Sequence, residues 1–217
     1  MRNRFEAQLD ELSEQLVQMG ALIERAIIGA VTALLEGDTE KARQLVEFDN
    51  EVNEKEQHIE QLCIKILMQQ QPVAGDLRLV SAALKMITDM ERIGDQAADI
   101  SEIVLIMQSP GKKQLSHIRE MADATVKMVT DSINAFVKSD LNLAQSVLDY
   151  DDVVDDFFKH LRGEFIELIH QEPQSGEMVV DLLMVIKYLE RIGDHACNIA
   201  EWVIFSITGV HRAEEAN

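Results

Sequence analysis

The sequence contains few residues that break helices or build disulfide frameworks. Its 217 residues include three prolines, ten glycines and two cysteines, and aromatic residues make up only 5%. So few cysteines exclude a small secreted domain held together by disulfides, and we expect Cys63 and Cys197 to be buried, reduced thiols. No run of β-branched residues indicates a strand. The scarcity of helix breakers therefore favours an all-α fold.

Basic residues are also scarce, since 20 lysines and arginines stand against 39 acidic residues, for a net charge of −19. Nucleic acids require a basic patch, and anionic membranes would repel this chain. The start, MRNRFEAQLDEL, lacks the apolar core of a signal peptide, and apolar runs such as AIIGAVTALL are shorter than the roughly 20 residues that span a bilayer. We therefore predict a cytoplasmic protein without nucleic-acid partners or direct membrane insertion, whose partners are metal cations or basic protein surfaces.

Apolar residues recur three or four positions apart along most of the chain, as in Leu9, Leu12 and Leu16, and this spacing is typical of amphipathic helices. Gly37 reads as a helix stop and Asp38 as the N-cap of the next helix. The pattern predicts six long helices, over residues 4–35, 39–70, 73–107, 114–137, 141–170 and 177–208.

The second half of the chain repeats the first. MERIGD at 90–95 recurs as LERIGD at 189–194, an offset of 99 residues, and Phe48-Asp49 matches Tyr150-Asp151 at an offset of 102. We therefore predict two tandem, pseudo-repeated antiparallel three-helix bundles, placed side by side or end to end. The predicted boundaries are 1–108 for the first bundle, 109–113 (SPGKK) for a linker and 114–217 for the second bundle.

Acidic residues form a row on the third helix of each half. Positions i and i+4 share a helix face, and this spacing produces two equivalent rows: Glu91, Asp95 and Asp99, then Glu190, Asp194 and Asn198. Two like charges so placed cost a few tenths of a kcal/mol, and neither row has a lysine or arginine at i+4 to relieve the repulsion.

The preceding helix of each half carries a second pair at the same spacing, Asp151 with Asp155 and, equivalently, Asp49 with Asn53. Consecutive helices of a bundle are antiparallel neighbours, so the pair and the row of one half could lie side by side. Carboxylate and amide oxygens on rigid helices suit hard cations such as Mg²⁺, Mn²⁺, Ca²⁺ and ferric iron. The alternative interpretation of the same residues is a solvated acidic face.

Two other repeated positions carry weaker signals. Gly94 and Gly193 lie inside helices, where glycine is unfavourable, so we expect a neighbouring helix to approach closely there. His58 and His160 are equivalent at the 102-residue offset but point away from the acidic pairs on their helix. We predict that they are surface or bundle histidines.

The segments QQPVAGDLR (70–78), MERIGD (90–95) and LERIGDHACNIAEWVIF (189–205) together resemble the PhoU family of bacterial phosphate-signalling regulators. The resemblance covers nearly the whole chain. It implies a cytoplasmic, often dimeric adaptor that is not an enzyme and that acts with the ATPase subunit of the phosphate ABC transporter and with a sensor histidine kinase. Such a protein keeps the phosphate regulon off and restrains phosphate uptake when phosphate is plentiful.

The resemblance also implies a multinuclear metal cluster, with iron as the expected ion and zinc, manganese or magnesium as alternatives. Carried onto this sequence, the candidate ligands are Asp49, Asn53, Glu91, Asp95, Asp99, Asp151, Asp155, Glu190, Asp194 and Asn198. Asn53 stands where the pattern has a second carboxylate, and Asn198 stands where the other half has Asp99. We therefore expect the first-half site to hold fewer ions or to hold them more weakly.

Two alternative functions are compatible with an acidic helical protein. One is a metal-free scaffold or co-chaperone-like module that uses the acidic face for docking. The other is a di-iron carboxylate enzyme, which typically needs two Glu-x-x-His motifs. This chain offers one well-placed copy, Glu167 to His170, without an equivalent in the other half, so we predict that it is not an enzyme.

Overall fold

The computed structural model describes residues 2–107 and 115–210, and the regular elements in those ranges are all helical. The six long helices are α1 (Arg2–Glu36), α2 (Thr39–Gln70), α3 (Gly75–Ile106), α4 (Ser116–Lys138), α5 (Leu141–Gln171) and α6 (Gly176–Thr208), with a short 3₁₀ turn at Pro173–Ser175. Their ends lie within about two residues of the predicted ones, which is the usual uncertainty of a helix boundary. The all-α class and the six long helices are confirmed.

The same N-cap begins the second helix of each half. The backbone N–H of Lys41 donates to Asp38 Oδ1 at 3.0 Å, and the N–H of Leu143 donates to Asp140 Oδ1 at 3.0 Å. Each carboxylate satisfies a first-turn donor that has no partner within the helix. The predicted cap at Asp38 is therefore confirmed, and its repetition at Asp140 supports the duplication.

The two halves lie side by side. Within each half the three helices pack on one another, and between the halves α3 packs along α6 and α1 along α4. The four helices α1, α3, α4 and α6 thus form the centre, and α2 and α5 lie on the outside, each packed against two helices of its own half. Each acidic pair is on an outer helix and each acidic row on an inner one, so any site they share lies in the groove between them.

Aliphatic residues at the predicted spacing fill the interior. On α1, Leu12, Leu16, Met19 and Ile23 are each fully buried. Burying one such side chain contributes about 1.5–3 kcal/mol, and stacked over helices of more than 30 residues these contributions make the scaffold rigid. Polar groups in the grooves are therefore held by helices that cannot easily move apart.

One described helix, over Arg4–Glu36, is long and apolar enough to cross a membrane by length and composition alone. Half of its most apolar window is buried inside the bundle, as in a core helix of a soluble protein, so this test does not place it in a membrane. The predicted linker, 109–113, lies outside the described residues. The predicted domain boundaries therefore stay a prediction.

Candidate metal centre

In each half the acidic row of the inner helix lies beside the acidic pair of the outer helix. We name the first acidic site by its residues on α2 and α3: Asp49, Asn53, Glu91 and Asp95. We name the second acidic site by its residues on α5 and α6: Asp151, Asp155, Glu190 and Asp194. In the first site burial, and then the negative charge of Asp95, raises the pKa of Asp49 and of Glu91. In the second site burial, and then the negative charge of Glu190, raises the pKa of Asp151 and of Asp194. The expected juxtaposition of pair and row is thus present in both halves.

Two oxygens of the first acidic site lack hydrogen-bond donors. Asn53 Nδ2 donates to Asp49 Oδ2 at 2.8 Å, but Asp49 Oδ1 and Asn53 Oδ1 are buried without a partner. A buried, unpaired polar atom costs about 1–3 kcal/mol. Carboxylate and amide oxygens are ligands that a hard cation takes, so these residues fit a bound metal ion.

Arg92 partly neutralises the α3 side of the first acidic site. Its NH1 atom donates to Asp95 Oδ2 at 3.1 Å, and its Nε atom lies 3.6 Å from Glu91 Oε2. Partial burial raises the pKa of Glu91, as does the charge of Asp95, whereas Arg92 lowers it. The row therefore has a cation three residues before Asp95 and directly after Glu91, although none stands at i+4. Sequence spacing alone did not reveal this contact.

The second acidic site is balanced by different neighbours. Lys187 forms an ion pair with Glu190, and Lys159 Nζ lies 3.9 Å from Asp155 Oδ2. Partial desolvation raises the pKa of Asp194, and the charges of Glu190 and Asp151 raise it further. Four carboxylates in one groove thus have two lysines as their cationic neighbours, so negative charge remains in excess among them.

Cys197 donates its thiol hydrogen to Asp151 in the second acidic site. Burial raises the pKa of this thiol strongly, and the negative charge of Asp151 raises it further. Burial is also the main cause that raises the pKa of Asp151, and the hydrogen bond from Cys197 lowers that pKa. The thiol is therefore a hydrogen-bond donor near neutral pH rather than a thiolate. The predicted burial is confirmed for Cys63, whereas Cys197 is only partly buried.

The two helix-interior glycines allow unequal approach of the outer helix. A Cβ atom at Gly94 would lie 2.9 Å from Val52 Cγ1 and 3.2 Å from Asp49 Oδ1. At Gly193 the nearest atom would be Val154 Cγ1, at 3.5 Å, which is ordinary van der Waals contact. The expected close approach is confirmed at Gly94, where it brings Asp49 against α3, and is looser at Gly193.

The last residue of each acidic row lies at the contact between the halves. Asp99 on α3 accepts a hydrogen bond from Tyr188 on α6, and Asn198 on α6 donates to Asp89 on α3 at 3.0 Å. His195 Nδ1 also lies 2.9 Å from Asp89 Oδ1. These contacts turn Asp99 and Asn198 toward the α3–α6 interface, and metal ligation by either stays a prediction.

Sequence reasoning missed Asp89 and Tyr188 as contact residues, and it missed the hydrogen bond from Cys197 to Asp151. The 99-residue offset that relates the two hexamers also relates Asp89 to Tyr188 and Asp99 to Asn198. Each member of the first pair contacts a member of the second pair across the halves, so the two contacts are reciprocal. The 99-residue offset could have predicted these two contacts only if it had been known that α3 and α6 pack against each other in antiparallel orientation.

Known proteins resemble this chain in both sequence and structure. The family model described as PhoU domain matches residues 16–104 and residues 118–203. The Pseudomonas putida protein named "Phosphate-specific transport system accessory protein PhoU homolog" is 37% identical over 208 residues, which span 95% of this chain and 81% of the relative.

Two crystal structures have the same architecture. PhoU from Pseudomonas aeruginosa superposes with a TM-score of 0.86 at 34% identity, over 95% of this chain and 100% of that one. The phosphate transport system regulatory protein PhoU from Streptococcus pneumoniae superposes with a TM-score of 0.87 at 28% identity, over 95% of this chain and 98% of that one. The likeness extends over both three-helix halves.

Proposed function

This chain belongs to the PhoU family, and from that premise we propose that it is a cytoplasmic negative regulator of the phosphate regulon and of phosphate uptake. The observation that carries the proposal is the match of both halves to the family model, together with a relative named as an accessory protein of the phosphate-specific transport system. In this role the chain is an adaptor between the ATPase subunit of the phosphate ABC transporter and a phosphate-sensing histidine kinase.

The surface of the chain suits an adaptor. A net charge of −19 steers the protein toward basic partner surfaces and away from nucleic acid. Met68, in the last turn of α2, and Val73, between α2 and α3, are 76% and 74% exposed, and they offer apolar contact surface to a protein partner. A homodimer is part of the proposal, and light scattering of the purified protein would measure it.

The proposal includes a multinuclear metal cluster at the two acidic sites, with iron as the expected ion and zinc, manganese or magnesium as alternatives. Its support is the pair of buried, unpartnered oxygens Asp49 Oδ1 and Asn53 Oδ1 and the four grouped carboxylates of the second site. A bound cation would supply positive charge to these oxygens. The protein's own residues hold it in place, and the proposal assigns it no reaction.

The regulatory role is tested in cells. Deleting the gene and growing the cells with abundant phosphate should switch the regulon on, which an alkaline phosphatase reporter would measure. A silent reporter would overturn the regulatory assignment. Pull-down from the complemented strain should recover the transporter ATPase and the sensor kinase, and recovery of neither would overturn the adaptor role.

The metal content is tested separately. Elemental analysis of the purified protein should find metal that is reduced by Glu91→Ala combined with Asp95→Ala. Metal near zero in both the parent and the variant, even after incubation with iron or manganese, would overturn the cluster. The reporter and pull-down results would then decide whether the metal-free scaffold role remains.

A further inference from the structure

Two histidines and a glutamate meet where α4 packs on α5, on a different face of α5 from Asp155. We propose that His117, His160 and Glu164 form a binding site for a divalent transition-metal ion of the zinc class. His160 and Glu164 follow Asp155 by five and nine residues, which places them about 140° and 180° around the helix. The site is therefore separate from the second acidic site.

The three side chains converge from two helices. His117 is the second residue of α4 (Ser116–Lys138), and His160 and Glu164 are one turn apart on α5. His117 Nδ1 lies 3.1 Å from Glu164 Oε2, and His160 Nε2 lies 3.5 Å from Glu164 Oε1. The two imidazole rings pack edge to face with centroids 5.2 Å apart. One ligand atom from each residue can be chosen so that all three lie within 4.8 Å of one another.

These separations suit a tetrahedral ion. Zinc binds nitrogen and oxygen ligands at about 2.0–2.2 Å, so its ligand atoms lie roughly 3.4 Å apart. Each histidine nitrogen already lies at about that spacing from one carboxylate oxygen of Glu164, His117 Nδ1 at 3.1 Å from Oε2 and His160 Nε2 at 3.5 Å from Oε1. The side chains of His117, His160 and Glu164 are 36%, 61% and 39% exposed, so the core does not lock their rotamers and each can turn toward a bound ion.

The ligand types distinguish this site from the two acidic sites. Two imidazoles with one carboxylate favour zinc and its neighbours cobalt, nickel and copper, whereas sites made only of oxygen favour magnesium, calcium and manganese. Three protein ligands leave a fourth position open. An open groove lined by Gly163, Glu167 and Leu168 runs beside Glu164, so water or an external ligand can reach that position.

In the first half of the molecule, the positions equivalent to the three proposed ligands contain only one histidine and no carboxylate. At the 102-residue offset His160 corresponds to His58, but Glu164 corresponds to Leu62 and His117 to Gln15. Leu62 is buried, and Gln15 accepts a hydrogen bond from Lys55 at 2.8 Å. His58 is thus an exposed histidine on the equivalent helix without the other two ligands, and it serves as a matched control.

The test uses the full chain, stripped with a chelator and held in excess Mg²⁺ so that oxygen-only sites are occupied. Calorimetric titration with Zn²⁺ should find one site per chain. Its affinity should fall at least about tenfold, a loss typical even of outer-shell changes, in His160→Ala and in Glu164→Ala. His58→Ala and the pair Glu190→Ala with Asp194→Ala should leave it unchanged.

A spectroscopic readout identifies the ligands directly. With one equivalent of Cu²⁺, electron paramagnetic resonance should show superhyperfine coupling to nitrogen, and His117→Ala combined with His160→Ala should abolish it. Circular dichroism would show that these exposed substitutions leave the helices intact. Zinc affinity and nitrogen coupling unchanged in that double variant would overturn the proposal, as would their loss in His58→Ala.

Discussion

In the first acidic site the outer helix contributes Asp49 and Asn53, whereas in the second it contributes Asp151 and Asp155. The amide of Asn53 donates to Asp49, so part of the first site is satisfied within the protein. In the second site four carboxylates share one groove, and their protein donors are Cys197 and two peripheral lysines. The nearly identical hexamers on α3 and α6 therefore support two sites that differ in their number of carboxylates, three in the first and four in the second.

The difference between the two sites shows that the outer helix determines how buried each site is and how many carboxylates it contains. The rows on α3 and α6 contain the same Glu-x-x-x-Asp spacing, but Gly94 lets α2 approach more closely than Gly193 lets α5 approach. Closer packing buries the oxygens of the first site, and a fourth carboxylate distinguishes the second. We infer that the second site binds cations more strongly and that the first is the more sensitive to packing.

The largest expected effect is the loss of metal from the second acidic site. Glu190→Ala combined with Asp194→Ala should lower the affinity for Mn²⁺ by more than about a hundredfold, because loss of direct ligands exceeds the 10–100-fold effect of outer-shell changes. Glu91→Ala combined with Asp95→Ala should lower the affinity for Mn²⁺ by a smaller factor. Equilibrium dialysis followed by elemental analysis of the stripped and reloaded protein measures both.

The control for this comparison is Glu177→Ala combined with Asp181→Ala, which removes an i, i+4 acidic pair from α6 outside the site. It makes the net charge of the chain less negative by the same amount as Glu190→Ala with Asp194→Ala. If the control loses as much Mn²⁺ as Glu190→Ala with Asp194→Ala, general acidity rather than a defined site holds the ion.

The next effect concerns packing. Gly94→Ala adds a Cβ atom 2.9 Å from Val52 Cγ1, and overpacking of this kind costs about 1–3 kcal/mol, offset by a gain of about 1 kcal/mol in helix propensity. Gly193→Ala should gain helix propensity without a cost from overpacking, because the added Cβ atom would lie 3.5 Å from its nearest neighbour, Val154 Cγ1. Urea unfolding of the two variants should therefore differ by about 1–3 kcal/mol. Equal unfolding free energies would contradict the closer approach of α2.

The third prediction exchanges the distinguishing residues. Without metal, Asn53→Asp should destabilise the protein by about 1–2 kcal/mol, because it replaces a hydrogen bond with a like-charge pair. Asp155→Asn should stabilise it by a few tenths of a kcal/mol. Chelated samples unfolded in urea measure both values.

Mn²⁺ binding should change in the opposite direction to the metal-free stability, because each extra carboxylate strengthens the binding of a cation at its site. Asn53→Asp should then bind more Mn²⁺ than the parent, and Asp155→Asn should bind less. Binding unaffected by either substitution would show that the outer-helix pair does not take part in the sites.

The helices and both acidic sites could be predicted from sequence because they depend on local spacing. Apolar residues recurring every three or four positions define each helix, and i, i+4 spacing places Glu91 above Asp95 whatever the tertiary fold. The cap at Asp38 is equally local. The juxtaposition of pair and row needed only one further premise, that consecutive helices of a bundle are antiparallel neighbours.

The contacts between helices distant in sequence could not be predicted. The bond from Asn198 to Asp89 depends on which inner helices meet and in what register, and spacing along one helix contains no such information. The same holds for His160, which was predicted as a surface or bundle histidine and is exposed. It meets His117 only through the packing of α4 on α5. Arg92 was missed for another reason, since a long flexible side chain reaches neighbours that its Cα direction does not indicate.

The smallest expected effect is a pH dependence that differs between the two sites. Partial burial raises the folded-state pKa of both Asp49 and Asp151 above the usual 3.8. The folded state then binds the proton more tightly than the unfolded state, so each group's stabilising contribution is complete below pH 3.8 and is lost as pH rises through the folded pKa.

Asparagine does not titrate, so replacing Asp49 or Asp151 with asparagine removes the loss of stability that this residue causes as pH rises. Relative to the parent, Asp151→Asn in chelated buffer should therefore become more stable as pH rises from about 4 toward 7. Asp49→Asn should show a smaller change, because the nearby charges of Asp155, Asp152 and Glu190 all raise the pKa of Asp151. Urea unfolding across this range measures the difference. A larger pH dependence for Asp49→Asn would mean that burial in the tighter first site outweighs the greater charge of the second.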